Sequence, residues 1–312
     1  MTITTIIPIY NAAAFIEKAV ESVLQFPQVK EILLVEDGSK DHSFVICQKL
    51  AEKYEIVKLI THPNHENRGV SASRNLGMDL ASQEFITFLD ADDYWLPNRF
   101  DAEREIFKDP KIDGVFGAIG TEYISEIGKK EYLEKFKDDR LTTVNYDAEG
   151  TAVFRGLIEQ DKGFGTFFSM IALTIRRTAV ENPEIRLETS LKIGEDKVFI
   201  TILSFEKYLK SGIINKPIAI RTAHENNTIT KVKNYSSVYF RHQYLYSLKI
   251  YTYLKDKNIM PSTKRELKYK YIYSKIAAES GLVKYINFIF YSFKYPVLLQ
   301  TRYRYFALKN NT

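Results

Sequence analysis

Phe85-Ile86-Thr87-Phe88-Leu89 runs directly into Asp90-Ala91-Asp92-Asp93. An apolar, β-favouring run that stops on three acids reads as a buried strand delivering carboxylates to a loop. Toward the N-terminus the same pattern recurs. Thr2 to Ile9 is short, β-branched and apolar, and beyond Asn11 the residues Phe15, Ile16, Ala19, Val20, Val23 and Leu24 fall at helical spacing. Glu31 to Val35 is a second apolar run, closed by Glu36-Asp37-Gly38-Ser39, and Phe44, Val45, Leu50 and Tyr54 mark a second helix capped by Ser39 or Asp41. Ile56 to Ile60 and a helix carrying Ala72, Leu76 and Leu80 make a third unit, and a helix opening near Pro97 follows the fourth run. Repeated βα units predict an α/β domain with a mostly parallel sheet and helices on both faces.

Outward from this core the periodicity is weaker. Between Asp109 and Pro183 short apolar runs alternate with Gly114, Gly117, Gly120 and Gly128, which predicts mixed strands and turns with a loop around Lys129 to Tyr146. A helix is expected from Glu195, carrying Val198, Ile202 and Phe205, and a late strand over Ile213 to Thr222. Beyond Asn234, Phe240, Tyr244, Leu248 and Tyr251 return to helical spacing.

A chain of 312 residues, 45% hydrophobic and 27% charged, can bury a full core and is neither disordered nor collagen-like. The single Cys47 excludes a disulfide framework and a cysteine-rich zinc site. Met1 to Tyr10 has no basic leader and reads as a strand, so a cytoplasmic location is expected. The net charge of +5 conceals an asymmetry. Residues 1–230 hold 28 Lys and Arg against 36 Asp and Glu, whereas 231–312 hold 16 against 3 together with 14 of the 21 tyrosines. A basic, aromatic segment suits an anionic surface, and its tyrosines equally suit the core of a small helical cap.

In open α/β sheets ligands bind beyond the carboxyl ends of the strands, where loops and helix N-termini converge. The exits to inspect are Pro8 to Asn11, Glu36 to Ser39, the segment leading to Asn67-Arg68-Gly69, and Asp90 to Asp93. Three acids in four positions repel one another unless a cation is present, and a hard divalent ion taking carboxylate and phosphate oxygens answers that need. A dinucleotide-binding oxidoreductase would carry G-x-G-x-x-G after the first strand, where Asn11-Ala12-Ala13-Ala14 stands instead.

These residues resemble a family 2 glycosyltransferase with the nucleotide-sugar-binding GT-A fold. The resemblance covers Thr2 to about Thr230. It rests on Ile6-Ile7-Pro8-Ile9-Tyr10-Asn11, Val35-Glu36-Asp37-Gly38-Ser39, Asn67 to Gly77, the D-x-D motif Asp90-Ala91-Asp92, and Gly194-Glu195-Asp196, five motifs in family order. It implies a GT-A domain over 1–230, to which composition and helical spacing add a basic, Tyr-rich helical extension over 231–312. By the resemblance, Asp37 accepts a hydrogen bond from the base, most often uracil, with Pro8, Tyr10 and Asn11 as the floor beside it. Arg74 and the loop around Arg68 border the nucleotide and its phosphates. Asp90 and Ala91 lie near the ribose, Asp92 ligates Mn²⁺ or Mg²⁺, and His224 reaches the metal or diphosphate. Glu36 departs from the family, which usually has Asp there.

The reaction implied is an inverting, single-displacement transfer from a nucleotide diphosphate sugar, with UDP the expected nucleotide, to a glycan or lipid-linked glycan hydroxyl. Asp196 is the expected base and Glu195 positions or binds the acceptor. The setting implied is bacterial-type surface polysaccharide or lipid-linked oligosaccharide assembly. A non-catalytic nucleotide-sugar or glycan-binding protein on the same fold would not need Asp92 and Asp196, and both are present. A haloacid dehalogenase phosphatase would place its D-x-D after the first strand, and a sugar nucleotidylyltransferase would carry a glycine-rich N-terminal loop. Gly281 to Gln300 is apolar but interrupted by Lys284, Lys294 and Pro296, so it is not expected to span a bilayer. Peripheral attachment to the inner face of the cell membrane is expected, with no nucleic-acid partner.

Overall fold

The structure, a computed structural model, describes residues 1–136, 141–165 and 167–309. The described residues form two compact units, one built from Met1–Lys129 and the segment ending at His224, the other from Glu225 onward together with the stretch that begins at Lys130.

The first unit opens with β1 (Ile3–Ile9), α1 (Ile16–Leu24), β2 (Val29–Glu36), α2 (Ser43–Lys53), β3 (Val57–Thr61), α3 (Val70–Leu80) and β4 (Phe85–Phe88). The fourth strand is not followed by the helix expected near Pro97. Instead β5 (Tyr94–Trp95) comes next, and only a single turn, α4 (Glu103–Ile106), forms beyond it. Trp95 decides this: its indole N–H donates to the Ile171 carbonyl (2.9 Å) and its ring meets Phe26 and Phe100 edge-on, so the segment is spent on core packing. Strands β6 (Gly114–Phe116) and β7 (Ala118–Tyr123) follow, then α5 (Glu126–Phe136), which belongs to this unit only as far as Lys129, and α6 (Thr151–Leu157). The loop expected over 129–146 is thus helical as far as Phe136, and 137–140 lie outside the described residues. β8 (Leu173–Arg176), α7 (Glu195–Glu206), β9 (Leu209–Ser211) and β10 (Pro217–Ala223) complete the unit.

The large sheet has the order β3-β2-β1-β4-β8-β6-β9, and a smaller one the order β5-β10-β7. β3, β2, β1 and β4 are mutually parallel, β8 runs antiparallel to both neighbours, and β6 and β9 are parallel. The mostly parallel mixed sheet read from the sequence is therefore present. Strand order reverses between β1 and β4, which is where an α/β sheet opens a crevice at its carboxyl edge.

Pro8 shows how that crevice opens. β1 pairs with β4 only over Ile3–Ile6 but continues along β2 to Ile9. The Ile6 carbonyl accepts from Leu89 N–H (3.1 Å) on the β4 side and the Ile9 carbonyl from Asp37 N–H (2.8 Å) on the β2 side. By strand alternation the N–H that Pro8 lacks would point toward β4, which has already diverged into Asp90, so no ladder bond is lost.

The second unit holds α8 (Thr228–Lys231), α9 (Ser237–Leu254), α10 (Pro261–Ala278), α11 (Gly281–Lys294) and α12 (Thr301–Leu308). Ile272, Ile276, Phe288, Leu298, Tyr303 and Ala307 form its core, with Tyr269, Tyr271, Tyr273, Tyr291 and Tyr295 packed against them. Much of the tyrosine content of this region is therefore internal packing.

α3 lies against β1 with no room between them: a Cβ on Gly77 would stand 2.4 Å from Ile6 Cγ2. Gly77→Ala is expected to destabilise the chain by about 1–3 kcal/mol through overpacking. In urea denaturation the double variant with Ile6→Ala should lose measurably less than the two single losses combined, because the second change removes the atoms the first one strikes.

Candidate active site

Two turns frame one end of the crevice. At the exit of β2, Glu36 folds back and its carboxylate accepts the N–H groups of Gly38 (3.2 Å) and Ser39 (2.6 Å). Gly38 has φ +70, and a Cβ there would sit 2.6 Å from the His65 carbonyl, so only glycine lets the 65–67 backbone close over this turn. The residue in which the sequence departs from its family pattern thus braces a turn.

Asp37 is buried, and its two carboxylate oxygens accept from the N–H groups of Arg68 (2.7 Å) and Gly69 (2.9 Å), while Asn67 Nδ2 donates to its carbonyl (2.9 Å). Arg68 is brought here through its backbone; its guanidinium is exposed and pairs with Glu66 (3.3 Å). His62, which the sequence reading did not single out, lies between Asp37 Oδ1 (3.5 Å) and Ser73 Oγ (3.0 Å). Its position at the end of the third apolar run was the available signal. Asn11, at φ +50, accepts Lys40 N–H on Oδ1 (2.7 Å) and donates its own N–H to Ser39 Oγ (3.0 Å), tying the β1 exit to the β2 exit. Tyr10 stands exposed beside it and Pro8 is half-buried. The helix after β2 begins later than the expected cap: Ser39 serves Asn11, and Asp41 accepts from Ser43 N–H (2.9 Å) and Ala13 N–H (3.1 Å).

The other end of the crevice concentrates charge. Asp90, Ala91, Asp92 and Asp93 leave β4 and are held from β10. Thr222 N–H donates to Asp93 Oδ1 (2.9 Å), and the Thr222 hydroxyl donates to the Asp92 carbonyl (2.5 Å). Asp93 is buried, and desolvation, with the charges of Asp92 and Asp90 added, holds its carboxyl well above the usual carboxylate range. Two residues on, His224 places Nε2 3.0 Å from Asp92 Oδ2 with its ring stacked on Phe15 (4.9 Å between centroids). The sequence places Phe15 only at helical spacing ahead of α1; its ring packs against the histidine.

Arg74, on α3, joins this loop to α7. Its Nη2 donates to Asp90 Oδ1 (2.5 Å), its Nη1 lies 3.5 Å from Glu195 Oε1, and its buried Nε has no partner among the described residues. Burial works against the guanidinium charge, but Asp90 and Glu195 outweigh it and raise its pKa. Glu195 and Asp196 open α7 after Gly194, where the helix N-terminus favours acids. Burial and the neighbouring Asp196 push the Glu195 carboxyl up to about 7, with Arg74 pulling the other way. Asp196 is less enclosed, and its Oδ1 accepts Lys197 N–H (2.7 Å).

The tertiary structure therefore brings Asp90, Arg74, Glu195 and Asp196 into one cluster and Asp92, His224 and Asp93 into an adjoining one. For a divalent ion the donor chemistry fits: a carboxylate oxygen and an imidazole nitrogen 3.0 Å apart can share one ion and leave its remaining positions to phosphate and water. Among the described residues no three His, Cys, Asp or Glu side chains converge as a complete metal cage.

A mostly parallel mixed sheet with carboxylates at its switch point and an acidic pair opening a helix is the arrangement that the resemblance to nucleotide-sugar transferases of GT-A architecture implies. The chain belongs to glycosyl transferase family 2, whose pattern it matches over residues 4–163. It is 27% identical over 218 residues to the minor teichoic acid biosynthesis protein GgaB of Bacillus subtilis, covering 68% of this chain and 22% of that protein. It is 28% identical over 182 residues to a GalNAc(5)-diNAcBac-PP-undecaprenol β-1,3-glucosyltransferase of Campylobacter jejuni, covering 53% of this chain and 55% of the relative. The chain thus spans 22% and 55% of the lengths of these two relatives. Among solved structures, S. aureus TarS 1–349 in complex with UDP-GlcNAc superposes with a TM-score of 0.64 at 16% identity, over 99% of this chain and 84% of that one. The mannosyltransferase PcManGT from Pyrobaculum calidifontis, in complex with GDP-Man and Mn²⁺, superposes at 0.54 and 15% identity, over 98% of this chain and 82% of that one. At these identities the structural likeness speaks for the fold.

The Glu195 carboxyl has a pH consequence. Its folded value of about 7 lies above its ordinary 4.5, so the folded chain binds this proton more tightly than the unfolded chain does. Its contribution to stability is complete below the unfolded value and is lost as pH rises through about 7. Urea midpoints of the metal-free protein should fall across that window, and Glu195→Gln should flatten the slope in part, Asp93 supplying the remainder.

Proposed function

We propose that the protein transfers a sugar from a nucleotide diphosphate donor, a UDP-sugar, to a hydroxyl of a glycan or lipid-linked glycan acceptor by a single inverting displacement. The reading is carried by one observation: the cluster Asp90–Arg74–Glu195–Asp196 adjoins the Asp92–His224 pair at the divergence of β1 and β4. The teichoic acid and undecaprenol-linked assignments of the relatives, and the UDP-GlcNAc complex of TarS, support bacterial surface-glycan assembly as its setting.

In this reading Asp37, with Pro8, Tyr10 and Asn11, borders the base, Asp90 and Ala91 the ribose, and Arg74 with the Arg68 loop the phosphates. Asp92 and His224 would hold Mn²⁺ or Mg²⁺; a bound divalent ion supplies Lewis-acid stabilisation to a departing diphosphate. Mn²⁺ suits the mixed oxygen and nitrogen pair better than Mg²⁺ does. The Asp196 carboxylate takes the proton of the acceptor hydroxyl as its oxygen bonds to the anomeric carbon, and the bond from that carbon to the diphosphate oxygen breaks with its electron pair leaving on the nucleotide. Glu195, held by Arg74, positions the acceptor. We place the protein in the cytoplasm, peripheral on the inner face of the membrane, where lipid-linked acceptors are displayed. The transferase domain is proposed to extend over 1–230, with 231–312 as its basic extension.

The donor assignment is tested by thermal shift with UDP, GDP, CMP and dTDP, each with and without Mn²⁺. UDP with Mn²⁺ should stabilise the wild type by about 2.7 kcal/mol at a hundredfold excess over Kd, Asp92→Asn should abolish the effect and His224→Ala should weaken it. No shift with any nucleotide would overturn the reading. Asp196→Asn should retain nucleotide binding while turnover falls by about 10²–10⁴-fold; near-wild-type transfer in that variant would overturn the assignment of the base.

A further inference from the structure

α11 faces the wrong way for a helix meant to meet water. Leu282, Ile286, Ile289, Phe290 and Phe293 recur at helical spacing along one face and are 56–85% exposed. The opposite, buried face carries Lys284, Phe288 and Ser292. Lys284 is enclosed, its ammonium donating to the Lys309 carbonyl (2.6 Å) and lying 3.5 Å from that of Ala277, and burial lowers its pKa despite the nearby Glu279. Ser292 Oγ is buried with no partner among the described residues. Surface helices of globular proteins bury the apolar stripe and expose the charged one. Here the helix turns polar groups inward, at a desolvation cost, and leaves large apolar side chains in solvent. Leu299 and Tyr305, also exposed, follow it in the chain.

We infer that α11 is an in-plane membrane anchor whose Leu282–Phe293 face inserts into the interfacial layer of an anionic lipid leaflet. The inference deepens the peripheral placement proposed above and rests on it. Two features select lipid as the occupant. First, residues 231–312 carry 16 Lys and Arg against 3 Asp and Glu, so the surrounding surface seeks an anionic partner, and a second copy of the chain would bring like charge to the same contact. Lys294, Arg302 and Arg304, all exposed, supply charge at the end of α11 and along α12. Second, the exposed face of α11 between Leu282 and Phe293 has no charged residue, as immersion below the headgroups requires. At 14 residues the helix is about 21 Å long, short of the roughly 30 Å hydrocarbon core. No helix among the described residues is long and apolar enough to cross a membrane. Lying in the plane is the geometry that accommodates one apolar and one protein-bound face.

The test is co-sedimentation of the full chain with vesicles of equal parts phosphatidylglycerol and phosphatidylcholine. Wild type should bind, and the triple variant Ile286→Ser, Ile289→Ser, Phe293→Ser should lose about tenfold or more in partitioning, since each removed side chain forfeits apolar burial. These side chains are exposed, so the variant should keep its far-UV spectrum and its nucleotide-induced thermal shift. Phe293→Trp should show a blue-shifted emission with these vesicles and quenching by brominated lipid; the native Trp95, being buried in the first unit, should respond to neither. If wild type ignores the vesicles, the peripheral placement falls and α11 with it. If wild type binds and the triple variant binds equally well, only the role of α11 is overturned. A wild-type dimer that the triple variant renders monomeric, without vesicle binding, would assign the face to a second copy and overturn the inference.

Discussion

Arg74 is the pivot of the first unit. Asp90 and Glu195 come from the β4 exit and the start of α7, and each faces another carboxylate nearby. Five acids at one end of a crevice are self-repelling, and a buried guanidinium bound to two of them offsets part of that repulsion in the metal-free protein. Asp93 and Glu195 still hold their protons more tightly than ordinary carboxyls do, through burial first and the neighbouring acids second.

The site has a stiff frame around this charge. At one end, Glu36 and Asp37 spend their carboxylates on backbone N–H groups, locking the β2 exit to the 67–69 loop. At the other, Thr222 clamps the acidic turn to β10, and Phe15 sets the ring of His224 against Asp92. Charge-assisted hydrogen bonds to buried carboxylates are among the stronger local constraints available to a fold. They fix the loop positions, while Asp196 and Tyr10 stay less enclosed.

The second unit follows a different rule. Its tyrosines are not simply a surface decoration: Tyr269, Tyr271, Tyr273, Tyr291 and Tyr295 pack on its small core. Its basic character faces outward at Lys294, Arg302 and Arg304, and its apolar excess is on α11. From composition the tyrosines fit either an attachment surface or the core of a small helical cap. In the structure charge and aromaticity separate, the rings largely inward and the aliphatic and Phe side chains of one helix outward.

How much was legible in the sequence depended on the range of the interaction responsible. Strand runs such as Ile3–Ile9 and Phe85–Phe88, the helix opening at Glu195, and the motifs Asp90-Ala91-Asp92 and Glu195-Asp196 are local patterns of two- and 3.6-residue period, and these determined the parallel core and named the acids. The same reasoning failed at Pro97, where Trp95 is captured by a carbonyl 76 positions away, and over 129–136, which is helical although its local signal is weak. It could not see that Arg74 pairs with Glu195 across 121 positions, that His62 stands by Asp37, or that α11 turns its polar side inward. The sequence by itself determined which chemical groups the protein carries and the elements that bear them. Only the tertiary structure decided which groups meet and which faces stay uncovered, because contacts between distant residues and the desolvation they impose exist only once the chain has closed on itself.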